Sequence, residues 1–267
     1  MTPERTDGCV ATKIGRTNIL GVGVSAIEME RALDTIESWI VLHDAQYVCV
    51  TGVHGVMESM HDDSLRRIHN QAGMVTPDGM PLVWLSRLWG SPEVRRVCGP
   101  DLLRECCNRG LAKGLRHFFY GGAEGVADLL SARLQSRNPG LIVAGTYCPP
   151  FRPMTEDEDI AVVQLIDDAK PDIVWVGLST PKQERWMASH VGRLSAPVLV
   201  GVGAAFDMHA GLKPRAPAWM QQSGLEWLFR LRIEPRRLWR RYLLNNPAFV
   251  WHVALQAAGI TRYEVGH

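Results

Sequence analysis

Asp78 lies in the run Thr76-Pro77-Asp78-Gly79-Met80-Pro81, where a proline and a glycine fix the backbone on either side of one carboxylate. A carboxylate standing free can take the proton from an attacking hydroxyl. One that bonds its own backbone is an ordinary Asp-Gly turn. The residues alone leave both readings open. A second chemistry recurs three times further along. Gly121-Gly122-Ala123-Glu124-Gly125, Gly177-Leu178-Ser179-Thr180-Pro181-Lys182-Gln183-Glu184 and Gly201-Val202-Gly203-Ala204-Ala205-Phe206-Asp207 each close an apolar run. Small residues there let backbone N–H groups approach a phosphate at a helix N-terminus. Each turn by itself is more often just a tight turn; three in succession outline a nucleotide pocket.

The third feature is Arg236-Arg237-Leu238-Trp239-Arg240-Arg241-Tyr242-Leu243. On a helix its four arginines fill one half of the circumference, and Leu238, Trp239, Tyr242 and Leu243 fill the other. A cationic face backed by an aromatic one suits a helix that rests on an anionic membrane surface or lids a phosphate-bearing site. From Lys213 to Leu243 eight basic residues face two acidic ones, a net of +6 in a chain whose total is +1. That asymmetry points to a membrane or polyanion. Metal-binding candidates are poor by comparison. Asp157-Glu158-Asp159 has the form D-x-D, but it opens a predicted helix, where acids suit the dipole. Asp62-Asp63 reads as solvated helix surface. The expectation is therefore no metal and no cofactor.

Elements that would position these groups alternate. Strands are predicted at Arg116–Tyr120, Leu141–Gly145, Asp172–Leu178 and Pro197–Val202, with helices at Glu124–Arg137, Thr155–Ala169 and Lys182–Val191 between them. Shorter strands at Asn18–Val24 and Tyr47–Val50, with helices at Ser25–Leu42 and His54–Asn70, precede them. This order argues an α/β fold: a Rossmann-like, mostly parallel sheet flanked by helices, with ligands at the carboxyl ends of its strands. Residues 1–16 read as a loose leader and 17–223 as the catalytic core, with its nucleotide-binding half at about 115–212. Residues 224–267 read as a C-terminal basic amphipathic helical appendage, in which Pro235 should break the helix.

A chain of 267 residues with 46% hydrophobic content can bury a sizeable core. No signal peptide is visible, and no run reaches the ~18–20 apolar residues of a spanning helix; Pro247–Ile260 comes nearest. Six scattered cysteines (Cys9, Cys49, Cys98, Cys106, Cys107, Cys148) read as reduced cytosolic thiols. An NAD-dependent oxidoreductase would use Gly121-Gly122-x-x-Gly125, but the acid expected ~20 residues on is replaced by Thr146. A membrane-surface adaptor accounts for the basic helix and leaves Asp78 and the three turns without a purpose. A nucleic-acid adaptor accounts for the basic helix alone and fails on the same features, so no nucleic-acid partner is expected.

Taken together, Pro77-Asp78-Gly79, Arg96-Val97-x-Gly99-x-Asp101-Leu102, Gly121-Gly122, Gly177-x-x-x-Pro181-Lys182-Gln183-Glu184, Gly201-x-Gly203-x-x-Phe206-Asp207-x-x-x-Gly211, Arg215-Ala216-Pro217 and Gly224-Leu225-Glu226-Trp227-Leu228-x-Arg230 resemble the WecG/TagA/CpsF glycosyltransferases, in order from about Asn18 to about Val250. The resemblance implies inverting transfer of an N-acetylmannosamine-type or related sugar from a UDP donor to a polyprenyl-diphosphate-linked acceptor. The setting it implies is the cytoplasmic face of the cell membrane, in the synthesis of surface polysaccharide or teichoic acid.

It also implies roles. Asp78 becomes the general base, and Thr51 a residue near the donor sugar. His54 stands close to where the family usually has an asparagine, and Arg96 resembles an arginine that reaches the donor; an ion pair with Asp101 is the competing reading for Arg96. Gly121, Gly122, Gly177, Lys182, Gln183, Gly203, Phe206 and Asp207 fall in the donor-binding motifs. Arg230, Arg237 and Arg240 match functional positions of the appendage, which leaves Arg236 and Arg241 for lipid. The appendage is then expected to fold over the site at the membrane, and truncation after Ser223 to leave a folded, soluble core. A second copy of the chain is the alternative partner for its apolar half.

Overall fold

The computed structural model describes residues 14–266, so Cys9 and most of the expected leader lie outside the described residues. Strands β1 (Arg16–Ile19) and β2 (Val22–Ser25) form an antiparallel hairpin. Its turn, Leu20-Gly21, has φ values of 51° and 86°, the left-handed geometry of a two-residue hairpin loop. Helix α1 (Met29–Leu42) leads to β3 (Gln46–Thr51), and α2 (Val53–His61) and α3 (Asp63–Gln71) lead to β4 (Met74–Pro77). Helices α4 (Met80–Leu88) and α5 (Gly99–Gly110) precede β5 (Arg116–Gly121). Next come α6 (Val126–Arg137), β6 (Ile142–Tyr147), α7 (Glu156–Ala169), β7 (Ile173–Gly177), α8 (Lys182–His190), β8 (Val198–Gly201) and α9 (Ala205–His209). The chain closes with α10 (Ala218–Gln222), α11 (Glu226–Ile233) and α12 (Pro235–Ala257).

Strands β3 to β8 make one six-stranded parallel sheet in the order β4-β3-β8-β7-β5-β6. The expected α/β architecture is present. Its strands are apolar on both faces because helices cover both. Alternate residues separate the two layers: Phe119, Trp175, Val48 and Val200 point to one core with α1, α5, α6 and α9. Phe118, Tyr120, Val174 and Val176 point to the other, with α2, α7, α8 and Phe249 of α12.

Several elements differ from the sequence reading. The strand expected at Asn18–Val24 is the β1–β2 hairpin, outside the main sheet. The helix expected at His54–Asn70 is divided at Asp62, whose carboxylate accepts from Ser64 N at 3.0 Å and Leu65 N at 3.1 Å. Asp62 is thus an N-cap, also paired with Arg185, and not plain solvated surface. Asp157, Glu158 and Asp159 do open a helix: Thr155 and Glu158 form a capping box, and Asp159 pairs with His190 and Arg193.

The break at Pro235 falls where expected, between α11 and α12. Proline at the first position of α12 lacks only an N–H that the helix would leave unbonded. The apolar half foreseen for this helix is itself divided. Leu238 and Tyr242 are buried, at 2% and 8% exposure, whereas Trp239 and Leu243 stand outward at 44% and 53%. Gln256, near the far end of α12, bonds both Leu20 N and Asn18 O of the hairpin.

Candidate active site

A cavity of about 640 Å³ lies at the carboxyl ends of β3, β4, β7 and β8. The chain leaves β3 outward to β4 and fills the other side of the sheet with β5 to β8, so the opening sits beside a reversal of strand order. Its floor is made of the turns that follow those strands: Gly52, Asp78, Ser179 and Gly203. Its roof is the appendage, with Trp227 and Arg230 from α11 and Arg237, Arg241 and Tyr242 from α12. Trp84 of α4 forms a side wall.

Asp78 is held by its backbone. Its N–H donates to Thr51 O at 2.9 Å, and Val97 N donates to Pro77 O at 3.1 Å, so the turn is stitched to β3 on one side and to the Arg96 segment on the other. Gly52 makes room for this approach, because a Cβ there would lie 3.1 Å from Asp78 O. With the backbone committed to its neighbours, the carboxylate faces the cavity. Burial pushes its pKa up to about 6; Arg96 opposes that rise and Glu226 adds to it. A carboxyl so tuned is ionised at neutral pH yet still basic.

Arg96 is the hub of the floor. Its Nη2 reaches Glu226 Oε2 at 2.5 Å and Asp78 Oδ1 at 3.5 Å, and its Nη1 donates to Gln221 Oε1 at 2.9 Å. Asp101 is not its partner. That carboxylate takes a two-pronged bond from Arg215, at 2.8 and 2.9 Å, the geometry guanidinium favours. Gln221 bonds both Arg96 and Arg215, so the two pairs form one network below the appendage.

His54, in the first turn of α2, lines the cavity. Burial pushes its pKa down to about 3, and Arg241 and Arg230 push the same way. The imidazole is therefore neutral, with Nδ1 3.4 Å from Asn245 Nδ2. Arg241 projects inward from α12. Its guanidinium pKa is lowered by burial, against the pull of Tyr242, and Arg230 and Arg237 lower it further. Among the described residues Arg230 and Arg241 make no ion pair, and Arg237 pairs only with Glu234.

The sequence-derived residues thus divide. Asp78, His54, Arg96, Gln183, Gly203, Arg230 and Arg237 surround the cavity. Arg240 does not; its guanidinium lies over the ring of Trp239, 5.2 Å from the centroid. Arg241, assigned from sequence to lipid, lines the cavity instead. Thr51 is buried, its hydroxyl directed to Cys49 O at 3.4 Å, and it touches the site through its carbonyl. Lys182 is exposed, and Asp207 pairs with Lys213 at 2.7 Å.

Gly121, Gly122 and Gly177 stand in close contact with their neighbours. A Cβ on Gly177 would lie 2.7 Å from the Phe206 ring, and one on Gly121 would lie 2.8 Å from the backbone of Gly177. Phe206 fills the space beside Gly177 and meets Phe119 edge to face. Behind the floor, buried Glu184 accepts from Thr180 Oγ1 at 2.8 Å and Gln183 Nε2 at 3.1 Å, fixing two cavity residues. Sequence reasoning gave no role to Gln221 or to Glu226, which it met only inside a motif, and it gave Arg241 to lipid. For Arg241 the available signal was its spacing: it is four residues from Arg237 and so on the same face of one helix.

No helix among the described residues is long and apolar enough to cross a membrane, and no group of three or more His, Cys, Asp or Glu is placed to hold a metal. A parallel α/β sheet with a half-buried carboxylate at its carboxyl edge, facing Arg230, Arg237 and Arg241 across one cavity, is a framework suited to a group-transfer enzyme. The family model for the Glycosyl transferase WecG/TagA/CpsF family matches residues 17–263, and the chain belongs to that family of glycosyltransferases. It is similar to the N-acetylglucosaminyldiphosphoundecaprenol N-acetyl-beta-D-mannosaminyltransferase of Staphylococcus aureus (strain MRSA252), 27% identical over 90% of this chain and 92% of that protein. The proteins of the same name from strains NCTC 8325 / PS 47 and MW2 are 27% and 26% identical, with the same coverage.

Proposed function

We propose that the protein transfers an N-acetylmannosamine-type or related sugar from a UDP donor to a sugar carried on a polyprenyl diphosphate, with inversion. The acceptor class comes from the relatives' names; the residues of this chain support the chemistry. The acceptor hydroxyl attacks the anomeric carbon while Asp78 takes its proton, and the bond from that carbon to the β-phosphate oxygen breaks. One displacement on one carbon inverts its configuration.

Negative charge then grows on the departing diphosphate. Arg230, Arg237 and Arg241 face that space, and in a partly dehydrated cavity three such donors stabilise it strongly. We therefore read the step as independent of metal. Neutral His54 and Gln183 are left to orient the donor sugar, and Ser179, Thr180 and Gly203 offer polar contacts for its nucleotide. The observation that carries the reading is the placement of Asp78 opposite these arginines across a single cavity.

The outer face of α12, with Arg236, Trp239, Arg240, Leu243 and Leu244, suits the inner face of an anionic membrane, where the lipid-linked acceptor would be found. Product analysis over a set of UDP-sugars with a soluble lipid-diphosphate acceptor analogue tests the proposal. A β-linked product from an α-configured UDP donor is expected, in the presence of chelator. A retained configuration, or no transfer from any UDP-sugar, overturns it.

A further inference from the structure

Among the described residues, Glu226 is the one acidic side chain that the appendage brings to the floor of the cavity. It reaches across 130 positions of sequence to Arg96, and their oxygen and nitrogen lie 2.5 Å apart. The same Nη2 stands 3.5 Å from Asp78 Oδ1, so one guanidinium nitrogen serves two carboxylates and lies nearer to Glu226. Gln221 pins the other terminal nitrogen, which limits how far the guanidinium can turn.

We propose that Glu226 is a positioning residue for the transfer: by engaging Arg96 it keeps that guanidinium from closing on Asp78, so the carboxylate is left able to accept a proton only when α11 covers the cavity. The inference rests on Asp78 being the base. Without Glu226, nothing competes for Nη2, and Arg96 moves onto Asp78 as a tight pair. A carboxylate held in such a pair is a weaker base, because the pair stabilises its charged form.

The charged and titratable groups around Asp78 are few and fixed. Arg96 and Cys98 face it from the segment after α4, Glu226 and Arg230 from α11, and Arg241 from α12; His54 lines the same cavity from α2. Burial raises the carboxyl, Arg96, Arg230 and Arg241 lower it, and Glu226 raises it. Removing Glu226 takes away an upward push and strengthens the main downward one, so both changes have one sign. Coverage of the cavity and basicity of Asp78 are linked in this way through one ion pair.

The test is the pH dependence of kcat/KM for full-length Glu226→Gln against the unaltered protein. Ionisation of the substrate's phosphates is common to both and cancels in the comparison. The acid limb is expected to move down by about one pH unit, with the neutral plateau several-fold lower. An unmoved limb overturns the proposal even if the plateau falls, because a merely structural role lowers the rate without shifting the limb. Glu226→Asp, which keeps the charge but shortens the arm, must shift the limb the same way by less; it serves as the deciding variant if the glutamine form does not fold. Asp78→Asn separates the two readings. If that variant turns over normally, the base assignment fails. If it is inactive and the limb of Glu226→Gln stays in place, only the role of Glu226 fails.

Discussion

The N–H of Asp78 donates to the carbonyl of Thr51 at 2.9 Å, which fastens the end of one parallel strand to its neighbour and leaves the carboxylate free of its own turn. The Asx-turn alternative that the sequence left open is thereby not the one adopted. Asp78→Asn should keep these backbone bonds and lose only the proton acceptor. Turnover is expected to fall by about 10²–10⁴-fold, with UDP affinity changed little. In the unaltered protein, activity should decline as pH falls through about 6, where the carboxyl becomes protonated.

The same group makes a stability prediction of defined sign. Its folded pKa lies above its usual value, so the folded state binds the proton more tightly than the unfolded chain. Its contribution is favourable below the unfolded value and is lost as pH rises through about 6. Asp78→Asn should therefore melt at a higher temperature than the unaltered protein at pH 8, and the gap should close toward pH 4. A gap that widens on acidification would contradict this assignment.

Arg241 and Arg240 offer a contrast between neighbours. Arg241 points into the cavity toward His54 and Arg230, whereas Arg240 lies over Trp239 on the outer face. Arg241→Ala should reduce kcat with a soluble acceptor by roughly 10²-fold, the usual scale for one donor to a developing charge. Arg240→Ala should change that rate by less than about threefold. Equal losses in both, measured in solution, would mean that the face of α12 turned to the site has been misassigned.

That contrast also shows where the sequence stops being informative. Strands β5, β7 and β8 were legible because they are apolar runs with glycine at their ends. Asp78, Arg96 and Arg230 were legible because each sits in a motif. The choice between Arg240 and Arg241 was not, since both lie within one turn of Arg237 and only the docking of α12 on α2 and the hairpin decides between them. Glu226 was hidden for a different reason: its partner is 130 positions away, and no local pattern encodes that meeting. The glycines of the three strand-end turns carry two readings that sequence does not separate. A glycine admits a phosphate or a phenyl ring equally well, and Gly177 admits Phe206.

The outer face of the appendage carries Trp239, Leu243, Leu244 and Trp251, exposed at 44%, 53%, 60% and 63%, beside Arg236 and Arg240. Apolar groups of this size next to unpaired cations favour an anionic bilayer, at about 1 kcal/mol per basic residue near the surface. Sedimentation with vesicles should show binding to phosphatidylglycerol-rich membranes that weakens as salt is raised. Trp239→Ala with Trp251→Ala should weaken it by about tenfold or more without altering transfer to a soluble acceptor. Equal binding to neutral vesicles would point to the apolar groups alone.

The far end of the appendage is structural, which changes what truncation should do. Phe249 is 4% exposed and packs in the core that holds Val22, Val56 and Leu82. Gln256 ties the last turns of α12 to Asn18 and Leu20 at 3.0 Å each. Phe249→Ala is expected to cost about 3–5 kcal/mol, or roughly 6–20 °C in melting temperature for a domain of this size. Ending the chain after Ser223 uncovers that part of the core altogether and removes Arg230, Arg237 and Arg241. The soluble core expected from sequence should therefore be replaced by a less stable, aggregation-prone one, with UDP affinity reduced along with transfer. A cut inside α12 would leave Arg230, Arg237 and Arg241 but lose Phe249, and it separates the two effects. If ending the chain after Leu243 retains the full melting temperature, α12 is a detachable lid and not part of the core.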